Sequence, residues 1–243
     1  MSKSSARQRA SARRRKRRRR TQIQLIIGVV VGAVILTGAL ILISAPRAQS
    51  LEPVADYSEF TQEIDRSGAV GFAIGEPDAP VTMVEYSDFS CPHCHDLAAI
   101  VDRLIEEYVS EGKLRIVFKP VSFVNPPYST PAAQAALCAA EQGKFWEMHA
   151  QIWALYETRG PTGYTRPNLV AQATAIGLDQ DQFERCYSSA ETRTAIEGVL
   201  EETRALGIAG TPTIYVNDQQ VGYTGADTFY DRMVQVIELE LGG

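Results

Sequence analysis

Apolar and polar positions along the chain change period several times, and each change marks an element. From Leu25 to Ile43 nearly every residue is apolar, and no charge occurs between Arg20 and Arg47. About 20 consecutive apolar residues suffice to cross a bilayer as a helix, so the pattern predicts a transmembrane helix over 22–44. Residues 45–68 mix polar and apolar residues and read as a linker, with one short helix near Tyr57–Ile64. Gly75 to Pro80 is dense in turn formers. Val81–Tyr86 then reads as a buried strand, and Leu97, Ile100, Val101, Leu104 and Ile105 recur at helical spacing. Leu114–Phe118 is a second strand. Strand–helix–strand implies a parallel pair joined by a crossover. A largely helical stretch follows over about 128–206. Within it Phe145, Met148, Ile152 and Leu155 mark one apolar face. Gly143 divides the first part into two helices, and Gly160-Pro161 and Arg166-Pro167 punctuate the middle. Ile196, Val199, Leu200 and Thr203 define a further helix ending near Gly207. Thr211–Val216 reads as a strand entered through a proline, with Gln220–Tyr223 as its hairpin partner. The last helix spans Asp227–Leu239, with Asp227 as its N-cap. The whole is an α/β domain over 69–243 behind a tail, a single apolar span and a linker.

Charge sharpens that division. Residues 1–20 hold 11 of the 24 basic residues and no acid, so a chain with net charge −5 carries −16 beyond Arg20. The run Arg13–Arg20 beside an apolar span is a positive-inside signal. It places residues 1–21 in the cytoplasm and everything after about Ser44 outside, in a single-pass membrane protein. A cleaved signal peptide would have a shorter apolar region and a small-x-small site, and Pro46 and Arg47 spoil the available positions. Thr21-Gln22 behind Arg19-Arg20 fits twin-arginine export poorly. The basic run can also bind nucleic acid or anionic head groups, but topology explains it fully, and no nucleic-acid partner is expected. Gly28 and Gly32 form a Gly-x-x-x-Gly pair, a weak mark of helix dimerisation.

The four cysteines carry the chemistry. Cys91-Pro92-His93-Cys94 follows a strand and opens a helix, where unpaired N–H groups and the positive end of the helix dipole stabilise a thiolate. Cys91 is therefore the expected nucleophile. His93 adds a donor or a positive charge beside it, and Cys94, one turn into the helix, is the expected resolving thiol. A stabilised thiolate favours the reduced pair, which makes the disulfide an oxidant. The same residues with His95 satisfy the c-type haem attachment pattern, but nothing singles out Met148 or His149 as a distal ligand. Zinc would need two further ligands, and no second Cys-x-x-Cys or His-x-x-x-His exists. A purely stabilising disulfide would close too small a loop to matter. No cofactor or metal is expected.

Phe89-Ser-Cys-Pro-His-Cys94 after a strand, a helical insertion, and then Gly210-Thr-Pro-Thr-Ile-Tyr-Val-Asn217 resemble the DsbA-like thiol:disulfide oxidoreductases of the thioredoxin superfamily. The resemblance covers about residues 70–240, and it matches membrane-anchored forms with four cysteines. It implies a thioredoxin-like fold with a helical insertion. It implies that Pro212 is cis and packs beside Cys91 and Cys94, and that the Thr211 backbone hydrogen-bonds an extended substrate. Glu85, six residues before Cys91, stands where family members often carry a buried acid that moves protons; a solvated strand end is the plain alternative. Cys138 and Cys186 both fall in the helical insertion. Two remaining cysteines in an oxidising compartment tend to pair, and some anchored members carry a comparable pair, so a structural disulfide is expected, with two buried free thiols as the alternative.

The resulting expectation is a membrane-anchored, extracytoplasmic dithiol oxidase that introduces disulfides into reduced exported proteins. The resemblance further implies a DsbB- or VKOR-type membrane partner that reoxidises it. A reductase or isomerase on the same fold is one alternative. An anchored, non-catalytic binding module is another.

Overall fold

The computed structural model describes residues 68–242, together with Gly28. The basic tail, the apolar span at 22–44, and the linker with its short helix lie outside the described residues. Among the described residues, no helix is long and apolar enough to cross a membrane.

A six-stranded sheet forms the centre. Its strands are β1 (Ala69–Val70), β2 (Ala73–Ile74), β3 (Val81–Ser87), β4 (Leu114–Pro120), β5 (Thr213–Val216) and β6 (Gln219–Val221), in the order β1-β2-β4-β3-β5-β6. Only β3 and β4 run parallel, with Val81 opposite Leu114 and Ser87 opposite Pro120. The crossover between them is α1 (Pro92–Leu104), continued by a π-helical turn over Ile105–Val109. The alternation in β4 is complete: Leu114, Ile116, Phe118 and Pro120 are buried, and the residues between them are half-exposed. This period of two puts Val81, Met83, Glu85 and Ser87 of β3 on that same inner face.

The chain between β4 and β5 forms α2 (Pro126–Ala140), α3 (Phe145–Arg159), a short 3-10 turn at Pro161–Gly163, α4 (Arg166–Ala175), α5 (Gln180–Tyr187) and α6 (Ala190–Ala205). A final helix, α7 (Ala226–Glu240), packs against α1. Gly143, in the left-handed region at φ +74°, does separate α2 from α3. The buried Phe145, Met148, Ile152 and Leu155 form the inner face of α3.

Several boundaries differ from the sequence reading, each for a local reason. The insertion begins at Pro126 because prolines fit the first turn of a helix, where an N–H has no partner anyway. The strand expected at Thr211 starts at Thr213, because Pro212 has no N–H to donate to a ladder. Asp227 is not an N-cap: α7 starts at Ala226 after Gly225, and Asp227 sits in its first turn, where a carboxylate suits the helix dipole. The β1–β2 hairpin was not anticipated, since two-residue strands carry no readable period.

Candidate active site

Strand β3 delivers the site. Beyond Ser87 the chain turns through Asp88, Phe89 and Ser90, and Cys91 becomes the N-cap residue of α1 with Pro92 at the first helical position. The turn is fixed by the Cys91 N–H donating to the Asp88 carbonyl at 2.9 Å, and by Cys94 and His95 N–H groups donating to the Cys91 carbonyl at 3.1 Å. From the other side comes the loop before β5. The Cys91 thiol donates to the Thr211 carbonyl oxygen at 3.4 Å, next to cis Pro212. Residues 120 positions apart thus meet at one sulfur.

The two thiols sit in unequal surroundings. Cys91 is 5% exposed and Cys94 fully buried, and both are free. The Cys91 pKa is lowered to about 5. The chief cause is a hydrogen bond from the Cys94 side chain; burial opposes it, and Thr211 and the backbone N–H groups of Cys94 and His93 add to the lowering. Burial pushes Cys94 well above the usual thiol range, and the neighbouring Cys91 sulfur raises it further. The pair is therefore split into a stabilised thiolate and a retained thiol.

His93 contributes differently from the sequence expectation. Its ring is largely exposed, 5.8 Å from the Tyr223 ring and 3.9 Å from Asp96. Its backbone N–H is the part that acts on Cys91. His95 instead stacks on Tyr156 with ring centres 4.9 Å apart. His149 is buried among Phe89, Phe118, Phe145 and Trp146, and its Nε2 accepts from the Trp153 indole at 3.0 Å. Among the described residues no group of three or more His, Cys, Asp or Glu side chains is placed to hold a metal ion.

Glu85 is buried at 1% exposure, between Phe118 of β4 and Ile214 of β5 in the strand register. Burial raises its pKa to about 7, partly offset by Ser87. Ser87 also restrains the rise at Cys94, while its hydroxyl and Glu85 Oε2 make no hydrogen bond among the described residues.

Sequence reasoning missed Asp88. Its carboxylate is fully buried and accepts two backbone N–H groups, Ser90 at 2.8 Å and Val124 at 2.9 Å. It joins the redox turn to the β4–α2 connection. Burial raises its pKa, and hydrogen bonds from Ser129 and from the backbone of Ser90, Val124 and Phe123 restrain the rise. An Asp beside a Cys-x-x-Cys was the available signal. Tyr156 and Tyr223 were also missed; burial raises both phenols, and the neighbouring cysteine sulfurs add to the rise, which places them at the rim of the site.

Cys138 of α2 and Cys186 of α5 are joined by a disulfide within the insertion. Their Cα atoms are 5.7 Å apart.

Residues 68–238 match the thioredoxin family model. The chain belongs to the thioredoxin family. Within that family, the crystal structure of oxidised BdbD from Bacillus subtilis superimposes with a TM-score of 0.61 and 25% identity, covering 74% of this chain and 96% of that one. A probable disulfide bond formation protein D of Bacillus anthracis is 27% identical over 173 residues, 70% of this chain and 77% of that protein. The Na(+)/H(+) antiporter NhaA 3 of Salinispora tropica is 35% identical over 148 residues, 60% of this chain and 21% of the antiporter. The chain spans about a fifth of the length of these antiporter relatives. Its fold is the DsbA/BdbD type of the thioredoxin fold, with the insertion between β4 and β5.

Proposed function

We propose that this protein is a membrane-anchored, extracytoplasmic thiol:disulfide oxidoreductase that introduces disulfides into exported proteins through Cys91 and Cys94. The observation that carries this reading is the contact of the Cys91 sulfur with the Thr211 carbonyl beside cis Pro212, at the N-terminus of α1. In the oxidised enzyme a substrate thiolate attacks Cys91 Sγ. The Cys91–Cys94 bond breaks, a mixed disulfide forms, and Cys94 leaves as a thiolate that takes a proton. Glu85, buried on the same strand as Ser87 and ionising near 7, serves as the proton donor. The substrate's second thiolate then attacks its own sulfur in the mixed disulfide and releases Cys91. A thiolate of pKa about 5 is a good leaving group. Two electrons pass from substrate to the enzyme pair. A DsbB- or VKOR-type membrane partner removes them. Thr211 presents its backbone to the extended substrate, and Cys138–Cys186 holds the insertion together without turning over. The basic tail and the apolar span at 22–44 supply the single-pass anchor, with the N-terminus in the cytoplasm.

The reduction potential of Cys91–Cys94 tests the direction of the reaction. A value well above the roughly −270 mV of thioredoxin is expected. A value at or below it would assign the protein to the reductases. If Cys91→Ser matched the wild type in reoxidation of a reduced, unfolded substrate, the pair would not be catalytic and the anchored binding module would be the remaining reading.

A further inference from the structure

A cleft of about 550 Å³ runs along one face of α6, outside the groups that act on the sulfurs. Its apolar lining is Phe123, Ile196, Leu200, Ile208 and Ala209. Arg193, Glu197 and Arg204 stand along its edge. Positions 193, 196, 197, 200 and 204 share one helical face, and the 12 residues of helix from Arg193 to Arg204 extend about 16 Å. That length matches about five residues of extended chain.

Both walls of the cleft are tied to the redox turn. Ala209 lies two residues before Thr211, whose carbonyl meets the Cys91 sulfur, so this end is within about 7 Å of chain of that contact. The opposite wall includes Phe123, and the N–H of its neighbour Val124 is held by Asp88, which also holds Ser90 beside Cys91. Val124, next in the chain to the lining residue Phe123, is a large hydrophobic residue at 43% exposure. Arg204 makes no ion pair among the described residues, while Arg193 donates to the Ser188 carbonyl and interacts with the Glu191 carboxylate. The edge therefore offers Arg204 as a cation for an acidic side chain.

We propose that this cleft holds the extended stretch of the reduced polypeptide substrate that flanks its reacting cysteine, taking an apolar side chain against Leu200 and Ile208 and an acidic one beside Arg204. This rests on the redox reading above and adds a sequence preference to it. A five-residue strand running out of the cis Pro212 loop fits the cleft in length, in polarity and in charge.

The test is the rate at which the oxidised full-length protein reacts with three thiols. One is a peptide whose cysteine is flanked by leucine and aspartate. The second has serine and glycine in those places, and the third is dithiothreitol. The wild-type protein is expected to favour the leucine–aspartate peptide over the serine–glycine peptide by about tenfold, the size of effect that burial of one leucine-sized side chain produces. In Leu200→Asp that preference falls to about one. Arg204→Glu, at an exposed position that threatens the fold little, reverses the preference toward a peptide carrying lysine for aspartate. Equal rates with both peptides in the wild type, or an unaltered preference in both variants, would overturn the proposal. So would a parallel loss of rate with peptide and dithiothreitol in Arg204→Glu, because it would place the effect on the cysteines. If the wild type oxidises dithiothreitol normally and shows no peptide preference, the cleft fails alone; if it oxidises none of the three, the redox reading fails with it.

Discussion

The two cysteine pairs of this protein have the same elements and opposite designs. Cys138 and Cys186 are drawn from two helices of the insertion, both are buried, and one hydroxyl, Thr192 Oγ1, lies 3.8 and 3.3 Å from their sulfurs. The two sulfurs share that one hydroxyl as a neighbour, and they are bonded. Cys91 and Cys94 are three residues apart, yet one sulfur faces backbone N–H groups and a loop carbonyl while the other is enclosed. A symmetric environment suits a bond that is made once. An asymmetric one suits a bond that opens in a fixed direction, because one thiolate is stable and the other must capture a proton.

The largest effect that tests this contrast is expected from Cys91→Ser, which reduces oxidation of a reduced, unfolded protein to the uncatalysed background, while Cys94→Ser, first loaded at Cys91 as a mixed disulfide with glutathione, exchanges the glutathione for a substrate thiol and accumulates a mixed disulfide visible by mass spectrometry. Equal behaviour of the two variants would mean the environments are not functionally distinct. Next in size is the pH profile. Alkylation of the reduced protein at Cys91 should show a midpoint near pH 5, against the ordinary thiol value near 9, with Cys94 unreactive throughout. The sign for stability follows. A folded pKa below the unfolded one stabilises the reduced form fully above the unfolded value, and this contribution is lost as pH falls through about 5. The difference in Tm between reduced and oxidised protein should therefore narrow in acid.

The structural pair should respond in the opposite way. Replacing both Cys138 and Cys186 with Ala removes a link across 48 residues. About 4 kcal/mol is expected from the loop length, a fall in Tm of roughly 10 °C, with the Cys91–Cys94 potential unchanged. A shift in potential would show that the pairs are coupled. The smallest effect concerns Glu85→Gln. A carboxyl raised to about 7 costs stability as pH rises from its ordinary value through 7. The variant should be more stable than wild type above pH 7, by no more than about 3 kcal/mol, and equal to it near pH 4. Slower formation of the mixed disulfide at constant potential would tie the acid to Cys94.

Much of this was legible in the residues. The period of two in Leu114–Phe118 and the helical period from Leu97 to Ile105 place β4 and α1, because each element buries one face against the sheet. Gly143 breaks the insertion where a positive φ is needed. Cys91 and Cys94 announce themselves by spacing, and Pro212 was reached by resemblance. Asp88, Tyr156 and Tyr223 were hidden for one reason. Their roles depend on segments brought together only by the fold: Asp88 on Val124, and the two tyrosines on sulfurs 65 and 132 residues away from them in the case of Cys91. Glu85 was visible as a residue but ambiguous as an environment, and only the register beside Phe118 and Ile214 buries it.

The order β4-β3-β5 has a consequence for how the molecule is assembled. The redox strand is flanked by the entry and the exit of the insertion, so β5 cannot settle on β3 until about 90 residues of intervening chain have looped back. The Cys138–Cys186 bond takes about half of that chain out of the loop. Halving a loop lowers its closure cost by about 0.6 kcal/mol, which eases the search by which Thr211 reaches Cys91. A nascent copy would then complete its own centre more readily once a disulfide had been placed in its insertion. On the function proposed here, the protein is a beneficiary of the same kind of reaction that it performs on others.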